Sequence, residues 1–415
     1  MKKTMNFGYT QIIYKGEKDA FEMNYSRADL HRLKEIIKNK LEEDKKYFEK
    51  IRAFHKKSFK RIQNKLNDKK KEPAQYNKKE LIEVFKLGRD LLREAVGEAH
   101  IIEPFSIMHD HELRDELAKN IKDVKELNKA INILTTPKEK SFSGKQQEDL
   151  IRISRIKNLE KRNKEIKKHT QKYRWIKNNY TGSYLLTIKE VEEELESLNK
   201  KKKRTEEDIE KKKQTIIKKY NLPRKIVTLC KQLVYLTNWQ DERKEMILKG
   251  IEETDIILKE IAKRTGIKPE NIGWASHKEI EADITKQQEP TLEKRRKYSL
   301  IYTNKDFEII IFTSKEAREL YKLVKTKDEK YSTTINGMCA SLGKVIARVQ
   351  ICKNLEDIKN FKEGNVLVTG MTRPEFLPAM KKAAAIVTDE GGITCHATII
   401  SRELGIPCVI GTKNA

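Results

Sequence analysis

Cysteine is scarce in this chain of 415 residues: there are five, Cys230, Cys339, Cys352, Cys395 and Cys408. They are scattered and none forms a Cys-x-x-Cys pair, which argues against a disulfide framework and against cysteine-ligated zinc. Long apolar runs are missing too, so no segment is expected to span a membrane. Met1-Lys2-Lys3-Thr4 is not followed by the apolar core of a signal peptide, and a cytoplasmic protein is expected. No glycine-rich loop with a following lysine is present to cradle a triphosphate. Neither an internal repeat nor a sustained heptad occurs. His109-Asp110-His111 invites a metal, but residues two apart face different ways on a helix, and no metal site is expected.

What the chain has in abundance is lysine. The formal net charge is +26, enough to make nucleic acid an alternative partner. The dense runs Lys69-Lys70-Lys71, Lys200-Lys201-Lys202-Lys203-Arg204 and Lys211-Lys212-Lys213 sit among acidic residues such as Glu192-Glu193-Glu194 and Glu206-Glu207-Asp208, as on a solvated helix. Aromatic residues, 7% of the chain, are not interleaved with them as a base-stacking platform needs.

The length allows two to four domains. Residues 1–25 read as a β-hairpin, with Ile12, Ile13 and Tyr14 on one strand, Gly16 turning the chain and Phe21 to Tyr25 returning. Residues 26–290 read as a helical domain. Ser26 is placed to cap its first helix, and helices are predicted over Leu81 to Ala99, Glu112 to Leu134, Glu148 to Glu165, Lys225 to Trp239 and Glu242 to Arg264. Thr187-Ile188-Lys189-Glu190 is a capping box. Residues 291–334 read as a connector, a second hairpin around Asn304-Lys305 followed by a short helix.

The last segment, 335–415, carries the chemistry. Ala383-Ala384-Ala385-Ile386-Val387-Thr388 suits a buried strand, and Asp389-Glu390-Gly391-Gly392 breaks it. A helix follows, with Ala397, Ile400 and Leu404 at helical spacing and Gly405 and Pro407 ending it before the strand Cys408-Val409-Ile410. His396 falls on its first turn. There the unpaired N–H groups and the helix dipole favour an anion. Neutral imidazole is nucleophilic near neutral pH, so His396 is the candidate carrier of a phosphoryl group. Gly391 and Gly392 let the backbone approach closely. Thr394 and Cys395 read either as a cap and a packed small residue or as phosphate contacts. Arg402 reads either as a cation at a helix end or as a phosphate contact. Thr372, before Pro374, reads either as a turn residue or as a phosphate contact.

Gly391, Gly392, Thr394, His396, Ala397, Ile399, Ile400 and Arg402 together resemble the phosphohistidine motif of the phosphoenolpyruvate (PEP)-utilising enzymes: phosphoenolpyruvate synthase, pyruvate phosphate dikinase and relatives including rifampicin phosphotransferase. Thr394-Cys395-His396 is similar to the wording of the synthases, whereas the rifampicin enzymes read Leu-Ser-His-Gly. Gly343-Lys344-Val345, Gly364 to Thr369, Thr372-Arg373-Pro374 and Ala385 to Asp389 resemble the opening strands of the same swivelling domain. Leu134 to Pro137, Ser141-Phe142, Trp239 to Lys244 and Arg295 to Tyr298 resemble the helical region that precedes it.

The resemblance implies an α+β chain: a large, mainly helical N-terminal region, then a β/β/α swivelling phosphohistidine domain lacking its last strands. It implies a phosphotransferase in which His396 shuttles phosphate between a nucleotide or PEP site and an acceptor. No cofactor is expected on this chain itself. Mg-ATP and/or phosphoenolpyruvate is implied through partner domains, with an ATP-grasp domain or protein acting in trans and a small molecule as acceptor. A rifampicin phosphotransferase-like enzyme, or a non-catalytic basic helical protein that binds nucleic acid, are the alternatives. In the rifampicin enzymes the helical region binds the acceptor, so Asp241 and Arg243 read either as substrate contacts or as a surface ion pair.

Overall fold

The computed structural model describes residues 9, 12–17, 20–180, 182–198, 208–303, 308–324, 334–413 and 415. The lysine run at 200–204 and the Asn304-Lys305 turn lie outside them. The chain is α+β, helical up to Lys297 apart from one hairpin, with a strand-rich C-terminal end. It divides into two compact units that are not contiguous in sequence. One comprises Met1–Phe105, Asn178–Ser183 and Met246–Lys330; the other comprises Ser106–Lys177, Tyr184–Glu245 and Tyr331–Ala415.

In the first unit, β1 (Ile12–Glu17) and β2 (Ala20–Tyr25) form the expected antiparallel hairpin. β3 (Ser299–Thr303) and β4 (Ile309–Thr313) form the second. The two join through an antiparallel β1–β3 pairing, Tyr14 opposite Ile301, into a single sheet of order β2-β1-β3-β4. Gly16 does not turn the chain. It lies inside β1, where an added Cβ would sit 2.6 Å from the Trp274 ring, so glycine makes room for an indole on the sheet. The adjacent helices bury Phe59, Leu81, Val84, Leu91, Ile251 and Ile261 in one core, each such side chain contributing about 1.5–3 kcal/mol. Ser26 stands at the N-cap of helix Arg27–Glu43, but its side chain makes no capping bond.

The second unit holds a five-stranded sheet of order β5-β9-β8-β7-β6. Its strands are β5 (Met338–Ser341), β6 (Val349–Ile351), β7 (Val366–Thr369), β8 (Ala385–Thr388) and β9 (Cys408–Ile410). β6, β7, β8 and β9 run parallel, and β5 closes one edge antiparallel to β9. Gly343-Lys344-Val345, expected at an opening strand, lies between β5 and β6 and in neither. Leu367, Met380, Ile386, Ala397, Ile400 and Ile410 form the core beneath. Helices pack against this assembly, and Ile393 joins a cluster with Leu113, Leu117, Leu127, Ile131 and Leu233.

Two predicted helices are broken by caps within them. Asp123 accepts from Glu126 N at 2.8 Å and starts helix Val124–Leu134, separating it from Ile102–Asn120. Asn158 accepts from Lys161 N at 2.8 Å and separates Leu159–Lys172 from Phe142–Ser154. Conversely, the helices expected on either side of Gln240-Asp241 are one helix, Arg224–Thr265, because no proline interrupts it, Trp239 is fully buried, and its one glycine, Gly250, lies where an added Cβ would come within 2.9 Å of Leu92. It ends at Gly266 with φ of 73°, as its sequence requires.

Candidate functional site

The strand-turn-helix around His396 follows directly from local chemistry. β8 ends at Thr388, whose hydroxyl donates to Glu390 O at 2.7 Å and bends the chain away from the sheet. Gly391 takes φ of 126°, and an added Cβ would meet Cys395 Sγ at 2.8 Å. Gly392 O receives Cys395 N at 3.0 Å and the Thr398 hydroxyl at 2.9 Å, which fixes the loop over the first turn of the helix. That helix runs His396–Leu404 and stops at Gly405, with φ of 58° and ψ of 41°. Cys395 is its N-cap residue and no side chain caps it. The Cys395 thiol lies 3.3 Å from the Thr398 hydroxyl instead.

The imidazole of His396 is held on one side and bare on the other. Nδ1 is hydrogen-bonded with the Thr372 hydroxyl at 3.1 Å, while Nε2 is buried with no hydrogen-bond partner. Thr372, two residues before Pro374, thereby contacts the ring itself. His396 is 5% exposed. Burial, and then the charge of Lys244, hold its pKa well below the ordinary 6.5, so the ring is neutral at neutral pH. Thr394 is buried beside it in sequence. Arg402 donates from Nε to Ala340 O at 2.8 Å and from Nη1 to Thr135 O at 3.3 Å, so these donors are occupied by protein carbonyls.

Sequence reasoning passed over Lys244. It lies on helix Arg224–Thr265, half-buried, close enough for its charge to act on both His396 and Cys395. Desolvation lowers its pKa to about 8, against the opposing pull of Cys395, Asp241 and Glu375. The carboxyl of Glu375 is pushed up by burial and feels the same ammonium. The signal lies in Trp239-Gln240-Asp241-Glu242-Arg243-Lys244, the segment that also holds Asp241 and Arg243. Those two are not a surface ion pair: Arg243 is buried, and Asp241 Oδ2 accepts from Phe142 N at 2.8 Å. Asp241 keeps some surface, yet burial raises its carboxyl to about 7, with Glu403 adding to the rise. Among the described residues no group of three metal-ligating side chains is assembled, and no helix is long and apolar enough to cross a membrane.

His396 thus stands at an uncapped helix start in a small strand-and-helix segment whose sheet is mainly parallel. A family model described as "PEP-utilising enzyme, mobile domain" matches residues 361–415. Phosphoenolpyruvate synthase of Pyrococcus furiosus is 50% identical over 103 residues, 25% of this chain and 12% of that protein. The synthase of Aeropyrum pernix is 51% identical over 82 residues, covering 20% and 10%, and that of Helicobacter pylori 39% identical over 104 residues, covering 25% and 13%. The chain thus spans only about an eighth of the length of these relatives. Residues 361–415 are similar to the mobile domain of PEP-utilising enzymes, and about a quarter of the chain is similar to phosphoenolpyruvate synthases.

Proposed function

We propose that the chain is a phosphotransferase of the phosphoenolpyruvate synthase-like type in which His396 carries the phosphoryl group. One observation supports this above the rest: the ring is neutral, tethered through Nδ1 to Thr372, and presents an unpartnered Nε2 at an uncapped helix start. With the ring proton on Nδ1, the Nε2 lone pair attacks phosphorus. The P–N bond forms as the P–O bond to the donor breaks, and the phosphorylated ring becomes cationic without any proton leaving. The helix start and the Lys244 ammonium oppose the charge on the three phosphoryl oxygens. Thr372 fixes ring orientation, and Gly391 and Gly392 give the phosphoryl group room against the backbone. Thr394 and Cys395 border that space. Arg402 braces the backbone around it through the carbonyls of Ala340 and Thr135.

Donor and acceptor are supplied from elsewhere: Mg-ATP and/or phosphoenolpyruvate through an ATP-grasp domain or protein, and a small-molecule acceptor. The domain 335–415 is the mobile part of this scheme. Because His396 is buried here, it must leave this pose to meet a donor. A second reading, in which the helical residues hold a small-molecule acceptor as in rifampicin phosphotransferase, is favoured by the packing of Lys244 and Asp241 in the same unit as the His396 helix. Incubation with ATP or phosphoenolpyruvate and a lysate from the source, followed by intact mass measurement, tests the carrier role. Acid-labile, base-stable phosphate is expected on the wild type and none on His396→Ala. Equal labelling of the two proteins rejects it.

A further inference from the structure

The helix Phe142–Ser154 begins in an unusual way. Ser141 is its N-cap, with its hydroxyl accepting from Gly144 N at 3.0 Å. The same serine also donates twice to a carboxylate that comes from the His396 helix: N to Glu403 Oε1 at 2.8 Å and Oγ to Glu403 Oε2 at 2.7 Å. Gly144 is required for this approach, because an added Cβ would lie 2.8 Å from Glu403 Oε1 and 3.0 Å from its Cδ. Three further polar contacts join the segment 335–415 to helical residues of the same unit. Asn132 Nδ2 donates to Ala340 O at 2.7 Å, Arg402 Nη1 to Thr135 O at 3.3 Å, and Lys381 Nζ pairs with Glu194 Oε2 at 2.9 Å. The bidentate, charge-assisted contact of Glu403 is the most specific of the four.

We infer that the start of helix Phe142–Ser154 is a docking receptor for the segment 335–415, and that Glu403 is the latch holding it in the pose that buries His396. Two residues of one short helix then have opposed tasks: His396 at its start faces the chemistry, and Glu403 near its end grips the neighbouring helix start. Release of Glu403 frees two donors and one carboxylate to water, so opening exchanges hydrogen bonds rather than abandoning them. The burial of Ile393 and Met338 against the helical cluster and the other three polar contacts are what remain to overcome. Glu403 is a positioning residue, and its purpose rests on the carrier role proposed above. The existence of the latch does not.

The test reads His396 accessibility in the full chain. Diethyl pyrocarbonate modifies neutral imidazole, and peptide mass mapping follows His396 against the exposed His31 as internal standard. His396 in the wild type is expected to react far more slowly than His31. Glu403→Ala and Gly144→Ala should each raise its rate about tenfold, the factor set by one charge-assisted hydrogen bond. The double variant should be no faster than Glu403→Ala alone, because removing the carboxylate also removes the clash with the new methyl group. Glu403→Gln, isosteric and still an acceptor, should give a smaller rise and keeps the test informative if the alanine variants fold poorly. An unchanged His396 rate in Glu403→Gln and Glu403→Ala, with unaltered circular dichroism, overturns the latch. Phosphate persisting on His396→Ala overturns the carrier role while leaving this result standing, so the two failures are distinguishable.

Discussion

Two helix starts in the second unit are built for opposite ends. At Phe142, every conspicuous donor is occupied: Ser141 N and Oγ bind Glu403, Gly144 N binds Ser141 Oγ, and Phe142 N binds Asp241. At His396, the N-cap is a cysteine that makes no capping bond, glycines precede it, and the imidazole Nε2 has no partner. A helix N-terminus attracts negative charge in either case. The first start satisfies that attraction with the Glu403 and Asp241 side chains; the second is satisfied by no side-chain cap, the opening that the proposed phosphoryl group would fill.

The largest way to break this contrast is to remove the cation that supports the second start. In Lys244→Met, phosphate labelling of His396 is expected to fall about a hundredfold, as when one group aimed at developing charge is lost. The imidazole pKa, read by NMR at the ring carbons, should rise at the same time, because Lys244 is one of the causes of its depression. Unchanged labelling would show that the ammonium merely fills space.

The first start is sharpened by pH. The Asp241 carboxyl is raised from the ordinary 3.8 to about 7, so between those values the unfolded chain loses a proton that the folded chain keeps. Stability from this group therefore declines as pH rises from 4 to 7 and is level above. Lys244, lowered from 10.5 to about 8, runs the other way: its penalty is full below 8 and relieved as pH climbs toward 10.5. Asp241→Asn keeps an acceptor for Phe142 N and abolishes the first effect alone. Relative to wild type it should gain about 2 kcal/mol between pH 4 and pH 7.5, roughly half the full linkage since the carboxyl keeps some water. Denaturant midpoints at the two pH values measure it; a constant difference would mean that Asp241 ionises normally.

Much of the His396 start was legible because its determinants are local. An apolar run, two glycines, helical spacing and the pair Gly405 and Pro407 lie within about thirty residues, and each acts on its neighbours. The Asp123 and Asn158 caps are equally local, but an apolar period continues across them and conceals the break. The Phe142 start was not legible. Ser141 and Glu403 are separated by 262 positions, and nothing in the pattern around either names the other. The same holds for β1 against β3: a period of two says that Tyr14 and Ile301 lie on strands, not that they are partners. Lys244 was hidden differently, as one lysine in a chain rich in them. Its distinction is desolvation, a property of the packed unit and not of the residue type.

The smallest expected effect bears most directly on the contrast. Cys395→Ser changes one atom at the N-cap, and the backbone there is already extended, with φ of −73° and ψ of 162°. A serine Oγ in that conformation accepts from the N–H groups two or three residues on, as Ser141 does from Gly144. The His396 helix should then be stabilised by about 1 kcal/mol, read as a raised denaturant midpoint. The added cap also competes for the N–H groups that an incoming phosphoryl group would use, so labelling should slow even as stability improves. A structural helix start would gain stability with no functional loss, as capping mutations usually do. The two readouts moving in opposite directions is what an anion site held open at the expense of its own helix requires; a faster or unchanged phosphorylation in the better-capped variant would mean that the donors at His396 take no part in binding the phosphoryl group.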